Sequence, residues 1–178
     1  ALGLANEDEL DPYLENHIHF SYVLHDYPIF FRNDIEKMRE LEKKGYCGID
    51  EENGVIYDCW GMGAELNSDG VYISYNPLAG DAEKNKRASK FLPQDFDQSV
   101  LGLDLEDAIK CYKTPNNFKE ENFSILEKDI KRYEGDMMVV PAGNFGAFER
   151  AYNIIGFEEF MVRLATDTEL IEEFLDKV

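Results

Sequence analysis

His17 and His19 stand two residues apart in the run NHIHF. In an extended segment both imidazoles point to one face, as two metal ligands would. His25 is the remaining histidine; carboxylates could complete a site, but nothing in their spacing singles one out. The competing reading is a set of partly buried histidines bonded to their neighbours, which is the commoner situation. A second group is YDCWG, with Asp58, Cys59 and the single Trp60. On a strand, Asp58 and Trp60 share a face and can form an aromatic wall beside a carboxylate for a small ligand. The alternative is a packed indole whose N–H finds an acceptor. Cys59 has no basic neighbour in sequence, so a reactive thiolate is not indicated. The third group is PAGNFGAFER, with Asn144, Phe145 and Glu149 around Gly143 and Gly146. It follows an apolar run and opens a helix, so its backbone N–H groups can meet an anion or a ligand oxygen. The alternative is a tight turn that needs small residues. The glycine spacing is not that of a dinucleotide-binding loop.

The elements that must position these groups are readable in outline. NDIEKMRELEKKG predicts a helix capped by Asn33 or Asp34, with Ile35, Met38 and Leu41 on one face and Gly45 as its stop. Two apolar runs around EENG predict a hairpin, and VYISY adds a strand, so residues 46–75 read as an antiparallel meander. Residues 79–103 have mixed charge and no period, and read as an irregular excursion. DLEDAIKCY is a short helix capped by Asp104, TPNNF a turn, and KEENFSILEKDIKRYEGD a longer helix with Phe123, Leu126 and Ile130 on one stripe. MMVVP is continuously apolar, as expected of a central parallel strand covered on both faces. FGAFERAYNIIG, FEEFMVRLATD and TELIEEFLDKV follow as helices, with Gly156 as a stop and Thr166 or Asp167 as a cap. Strand between helices argues α/β.

Composition narrows the classes. The chain has 178 residues, 44% of them hydrophobic, enough for a single domain with a core. Its formal charge of −19 opposes nucleic acid and anionic membrane surfaces as partners. No apolar run reaches the length of a membrane span, and the first residues lack a signal-peptide pattern. Cys47, Cys59 and Cys111 form no C-x-x-C pair and are odd in number, which fits a reducing cytoplasm better than a disulfide framework. The first residue is Ala, as expected of a trimmed or excised chain.

From about Val55 onward the chain resembles the uroporphyrinogen decarboxylase family. The matching positions are Gly146, Phe148, Glu149, Ala151, Gly156, Glu158, Phe160, Leu164, Asp167, Glu169, Leu170 and Leu175. Upstream, YDCWGMGAEL looks like the family's Asp-x-Trp-Gly segment, and NPLA and YKTPNN look like its Pro-Leu and Tyr-x-x-Pro landmarks. The Arg-Gln-Ala-Gly-Arg-Tyr run of the true decarboxylases is absent, which favours the cobalamin-dependent methyltransferase branch. The resemblance implies an N-terminal portion of a (β/α)8 barrel, a partial barrel carrying the antiparallel meander. It implies methyl transfer between a small methyl donor and the cobalt of a cobalamin or corrinoid held on a partner corrinoid protein. Asn144 would then hydrogen-bond the donor, Glu149 would orient it or carry a proton as the catalytic group, and Trp60 or Phe145 would stack on it beside Asp58. The family's zinc ligands lie in its later part, so no residue here inherits that role. An incomplete barrel further implies self-association or a rearranged sheet.

Two rival expectations stand beside this. One is a non-catalytic acidic α/β interaction module, or a remnant of the family. The other is a metallohydrolase using the H-x-H pair, since barrel metallohydrolases carry one at the end of their first strand. There an apolar run precedes the pair, whereas DPYLEN precedes it here.

Overall fold

The computed structural model describes residues 17–23, 27–115, 120–141 and 145–178. His25, Gly143 and Asn144, with the Asn116–Asn117 part of the expected turn, lie outside the described residues. The chain divides into two compact units: residues 1–24 with 118–144, and residues 25–117 with 145–178.

In the smaller unit, β1 (Ile18–Ser21) pairs in parallel with β6 (Met138–Pro141), with Ile18 opposite Met138 and Phe20 opposite Val140. A one-turn 3-10 helix (Glu120–Phe123) leads into α5 (Ser124–Tyr133), which packs on this sheet. Alternation along a strand sends successive side chains to opposite faces. His19 and Ser21 therefore share one face, and Asp129 of α5 reaches both of them. Ile18, Phe20 and Met138 share the other, where Phe20 is 56% and Met138 62% exposed. The apolar run MMVVP is thus not a central strand covered on both faces: among the described residues β6 pairs with β1 alone.

The larger unit is built on four antiparallel strands in sequence order: β2 (Cys47–Asp50), β3 (Val55–Asp58), β4 (Gly63–Glu65) and β5 (Ile73–Tyr75). Around them lie α1 (Tyr27–Phe30), α2 (Ile35–Lys43), α3 (Ala82–Ala88), α4 (Leu105–Cys111), α6 (Ala147–Ile155), α7 (Phe157–Thr166) and α8 (Thr168–Leu175). Asp34 caps α2 by accepting the N–H of Lys37, and Asp104 caps α4 by accepting that of Asp107. The segment expected as irregular contains α3, capped by Asp81, and a 3-10 turn at Gln98–Val100. The core joins Tyr57, Trp60, Met62 and Tyr75 of the sheet region to Ile109, Ile154, Phe160 and Phe174 of the helices.

Two fittings hold the sheet in place. Gly48 lies so close to the carbonyl of Phe91 that a Cβ there would sit 1.6 Å from its oxygen. Arg32, 4% exposed, donates to the carbonyls of Ile29, Glu65, Ser68 and Gly70 and to the Ser68 hydroxyl, tying the β4–β5 loop to α1. This architecture corrects the expected partial (β/α)8 barrel. A barrel repeats parallel strands separated by helices. Here the parallel pairing among the described residues is confined to β1 and β6, and the other sheet is wholly antiparallel.

Candidate functional site

The Asp58–Met62 segment closes on itself at the end of β3. Asp58 Oδ1 accepts the N–H groups of Trp60 and Met62 at 3.0 and 2.9 Å, and the Gly61 N–H reaches the Asp58 carbonyl at 3.0 Å. Gly61 has φ +84°, and a Cβ there would lie 2.4 Å from the Phe96 ring, so both backbone and space require glycine. The turn presents the Trp60 indole inward. The guanidinium of Arg150, from α6, lies 3.9 Å from its centroid and 5.7 Å from that of Phe145. Phe145 in turn meets Phe30 at 5.1 Å. The Tyr112 hydroxyl donates to the Trp60 carbonyl at 2.9 Å. Burial pushes the Tyr112 phenol well above its ordinary range, with the nearby Asp58 and Cys59 adding to the rise and Arg150 opposing it.

Of the expected site residues, Trp60 and Phe145 come together around Arg150, and Asp58 holds the turn that carries Trp60. Their environment is a fastener between the β3–β4 turn and the start of α6. Asp58 and Trp60 are 0% and 2% exposed, and the oxygen of Asp58 described above is engaged by its own turn. Glu149 is exposed and accepts the Gly146 N–H at 3.4 Å, so it serves the first turn of α6. Asn144 lies outside the described residues. Arg150 is the member that sequence reasoning missed. Its signal is position: it shares the stripe of α6 that carries Ala151, Ile154 and Ile155, all buried. A cation on an apolar stripe needs a partner such as an aromatic face.

In the smaller unit Ser21 Oγ donates to Asp129 Oδ2 at 2.7 Å, and His19 Nε2 lies 3.3 Å from the same oxygen, with its ring 4.3 Å from that of Tyr133. A nucleophile relay would need the hydroxyl to donate to the imidazole. Here hydroxyl and imidazole converge on one carboxylate oxygen. His17 is exposed beyond them, and among the described residues no group of three or more His, Cys, Asp or Glu is placed to hold a metal ion.

The larger unit has an open polar cleft of about 710 Å³ by Asp97, Lys110, Lys113 and Lys177. Its ammonium groups are already engaged. Lys113 pairs with Asp97 at 2.7 Å, Lys110 with Glu106, and Lys177 with Glu173 and the carbonyls of Ile109 and Lys110.

Another surface of the larger unit is apolar. Phe148 of α6 and Phe157, Met161 and Val162 of α7 are 46%, 59%, 41% and 55% exposed. The two exposed rings join in one ridge through the half-buried Tyr152, which meets Phe148 at 5.9 Å and Phe157 at 5.6 Å, and Phe148 also packs at 5.0 Å on the buried Phe160 of the core. Glu149 and Glu158 are exposed and Glu159 is partly exposed beside it. Residues 145–178 carry eight acidic and three basic side chains. Those three are committed: Arg150 is buried on Trp60, Arg163 pairs with Glu159, and Lys177 with Glu173.

Comparison with protein-family models, with curated proteins and with solved structures finds no match to this chain. The resemblance to the uroporphyrinogen decarboxylase family and its corrinoid branch is therefore not upheld. The described residues form no barrel, and neither the structure nor the comparisons support a corrinoid-dependent methyltransferase. The roles that this resemblance implied for Glu149, Asn144, Phe145, Trp60 and Asp58 lose their basis with it, as does the corrinoid protein as partner.

Proposed function

We propose that this chain is a protein-interaction module that receives a cationic protein partner on the aromatic ridge of α6 and α7. The observation that carries this reading is the pair of exposed rings Phe148 and Phe157, joined through the half-buried Tyr152, with carboxylates at their margin. Large apolar side chains grouped on a surface expose area that water disfavours, and such groups mark contact surfaces. The rings supply area to bury, and the surplus of carboxylates selects positive charge and repels anionic surfaces. The His19–Ser21–Asp129 cluster and the lysine cleft are each internally paired, so neither competes as a site.

The test is a titration of the full chain with a fluorescein-labelled peptide of Leu and Lys, followed by anisotropy. Binding is expected to weaken at least about fivefold in Phe157→Ala and in Phe148→Ala, a loss of about 1 kcal/mol. A peptide with Glu in place of Lys is expected not to bind. A charge of −19 attracts any polycation, so binding indifferent to both ring substitutions would remove the ridge as the site.

A further inference from the structure

We infer that the partner enters the ridge as an amphipathic cationic α-helix rather than as an extended strand. This rests on the reading of the ridge as a docking surface, and names the conformation and chemistry of its occupant. Both elements that build the ridge are helices whose backbone groups are bonded internally. Arg150 N–H meets the Gly146 carbonyl, Gly156 N–H the Tyr152 carbonyl, and Phe160 N–H the Gly156 carbonyl, all within 2.9 Å. Such a surface offers no row of free N–H and C=O groups. An extended peptide laid on it would bury its own backbone groups unpaired, which is costly. A helix brings its backbone already satisfied and spends only side chains on the contact.

The spacing agrees. Phe148 and Tyr152 on α6, and Phe157 and Met161 on α7, are pairs four residues apart, the ridge spacing against which another helix packs. Glu149 and Glu158 each follow an exposed phenylalanine by one position. They stand about 100° further round their helices, at the margin and not under the contact. The matching partner has Leu-like or aromatic residues at i, i+3, i+4 and i+7, flanked by Lys or Arg. A second copy of this chain fits poorly, because it would bring the same carboxylates against each other.

The experiment uses the full chain and two labelled peptides of identical Leu and Lys composition. One has Leu at helical spacing and the other alternates Leu and Lys, a strand pattern. The expected result is at least about tenfold tighter binding of the helical peptide, a gain of its helical circular dichroism on mixing, and loss of most of that affinity in Phe157→Ala. Glu158→Lys, a surface change that spares the rings, is expected to weaken binding as well. If the alternating peptide binds as tightly and loses affinity in Phe157→Ala, the ridge is still the docking site but the helical mode is wrong. If neither peptide binds, or both bind regardless of the ring substitutions, the docking surface and the helical mode fall together.

Discussion

Single side chains decide how firmly the larger unit is held. Arg32 gathers the carbonyls of α1, the end of β4 and the β4–β5 loop onto one buried guanidinium. Truncating it leaves several buried acceptors without donors, each worth about 1–3 kcal/mol. Arg32→Met is expected to lower unfolding free energy by about 3 kcal/mol in urea titration, and a loss below about 1 kcal/mol would show that solvent replaces those bonds. Gly48→Ala inserts a methyl group against the Phe91 backbone, so β2 or the 91–94 segment must shift. Overpacking of this kind costs about 1–3 kcal/mol, and an unchanged urea midpoint would contradict the close approach. The cysteines separate by environment. Burial holds the Cys47 thiol up at about 12, from an ordinary value of 9.0, with Glu42 and Asp58 adding to the rise, while Cys111 is exposed. The folded state therefore keeps the Cys47 proton where the unfolded chain loses it. Its contribution to stability is complete below about pH 9 and is lost as pH rises toward 12. Near neutral pH a thiol reagent is expected to titrate Cys111 rapidly and to reach Cys47 and Cys59 only in denaturant. Rapid labelling of all three would refute the burial. Asp58 and Trp60 were legible as neighbours from YDCWG. Their role was not, because a carboxylate beside an indole looks alike whether it faces a ligand or locks its own turn.

Elements with local signals were legible, and those defined by their partners were not. The caps at Asp34 and Asp104, the turn of residues 51–54 between β2 and β3 and the stop at Gly156 each rest on a few adjacent residues. Helix α3 was hidden because EKNKR reads as solvated charge and only Asn85 and Ala88 of the helix are buried. A continuous apolar run such as that of β6 fits a central, doubly covered strand. Phe20 and Met138 on one face of the β1–β6 sheet are instead exposed, which composition does not reveal. The barrel expectation failed for the same reason: strand pairing over long separations is a property of the whole chain. The β1–β6 sheet should be the least protected regular structure. Among its described residues two strands and one α-helix bury little, and local opening costs least where few apolar contacts are lost. Amides of β1 and β6 are expected to exchange with deuterium before those of β2 and β3. The reverse order would mean that the smaller unit is the more stable one.

Across the whole molecule, charge is the dominant fact. At −19 the folded chain repels itself, and screening relieves this. Raising salt from about 10 mM to about 300 mM shortens the Debye length severalfold and is expected to raise the melting temperature by a few degrees. The same change is expected to weaken binding of a cationic peptide. Opposite signs for one salt step separate self-repulsion from docking, and a melting temperature that falls with salt would make the ion pairs the larger effect. The stacking of Arg150 on Trp60 has one more consequence, an optical one. Trp60 is the sole indole, and it belongs to the larger unit. Its emission reports the attachment of α6 to the β3–β4 turn within that unit, whereas far-ultraviolet dichroism records the helices and strands of both units. On heating, dichroism is expected to begin changing before the indole spectrum shifts red. The gap between the two curves then measures how far the units melt independently, with no label added.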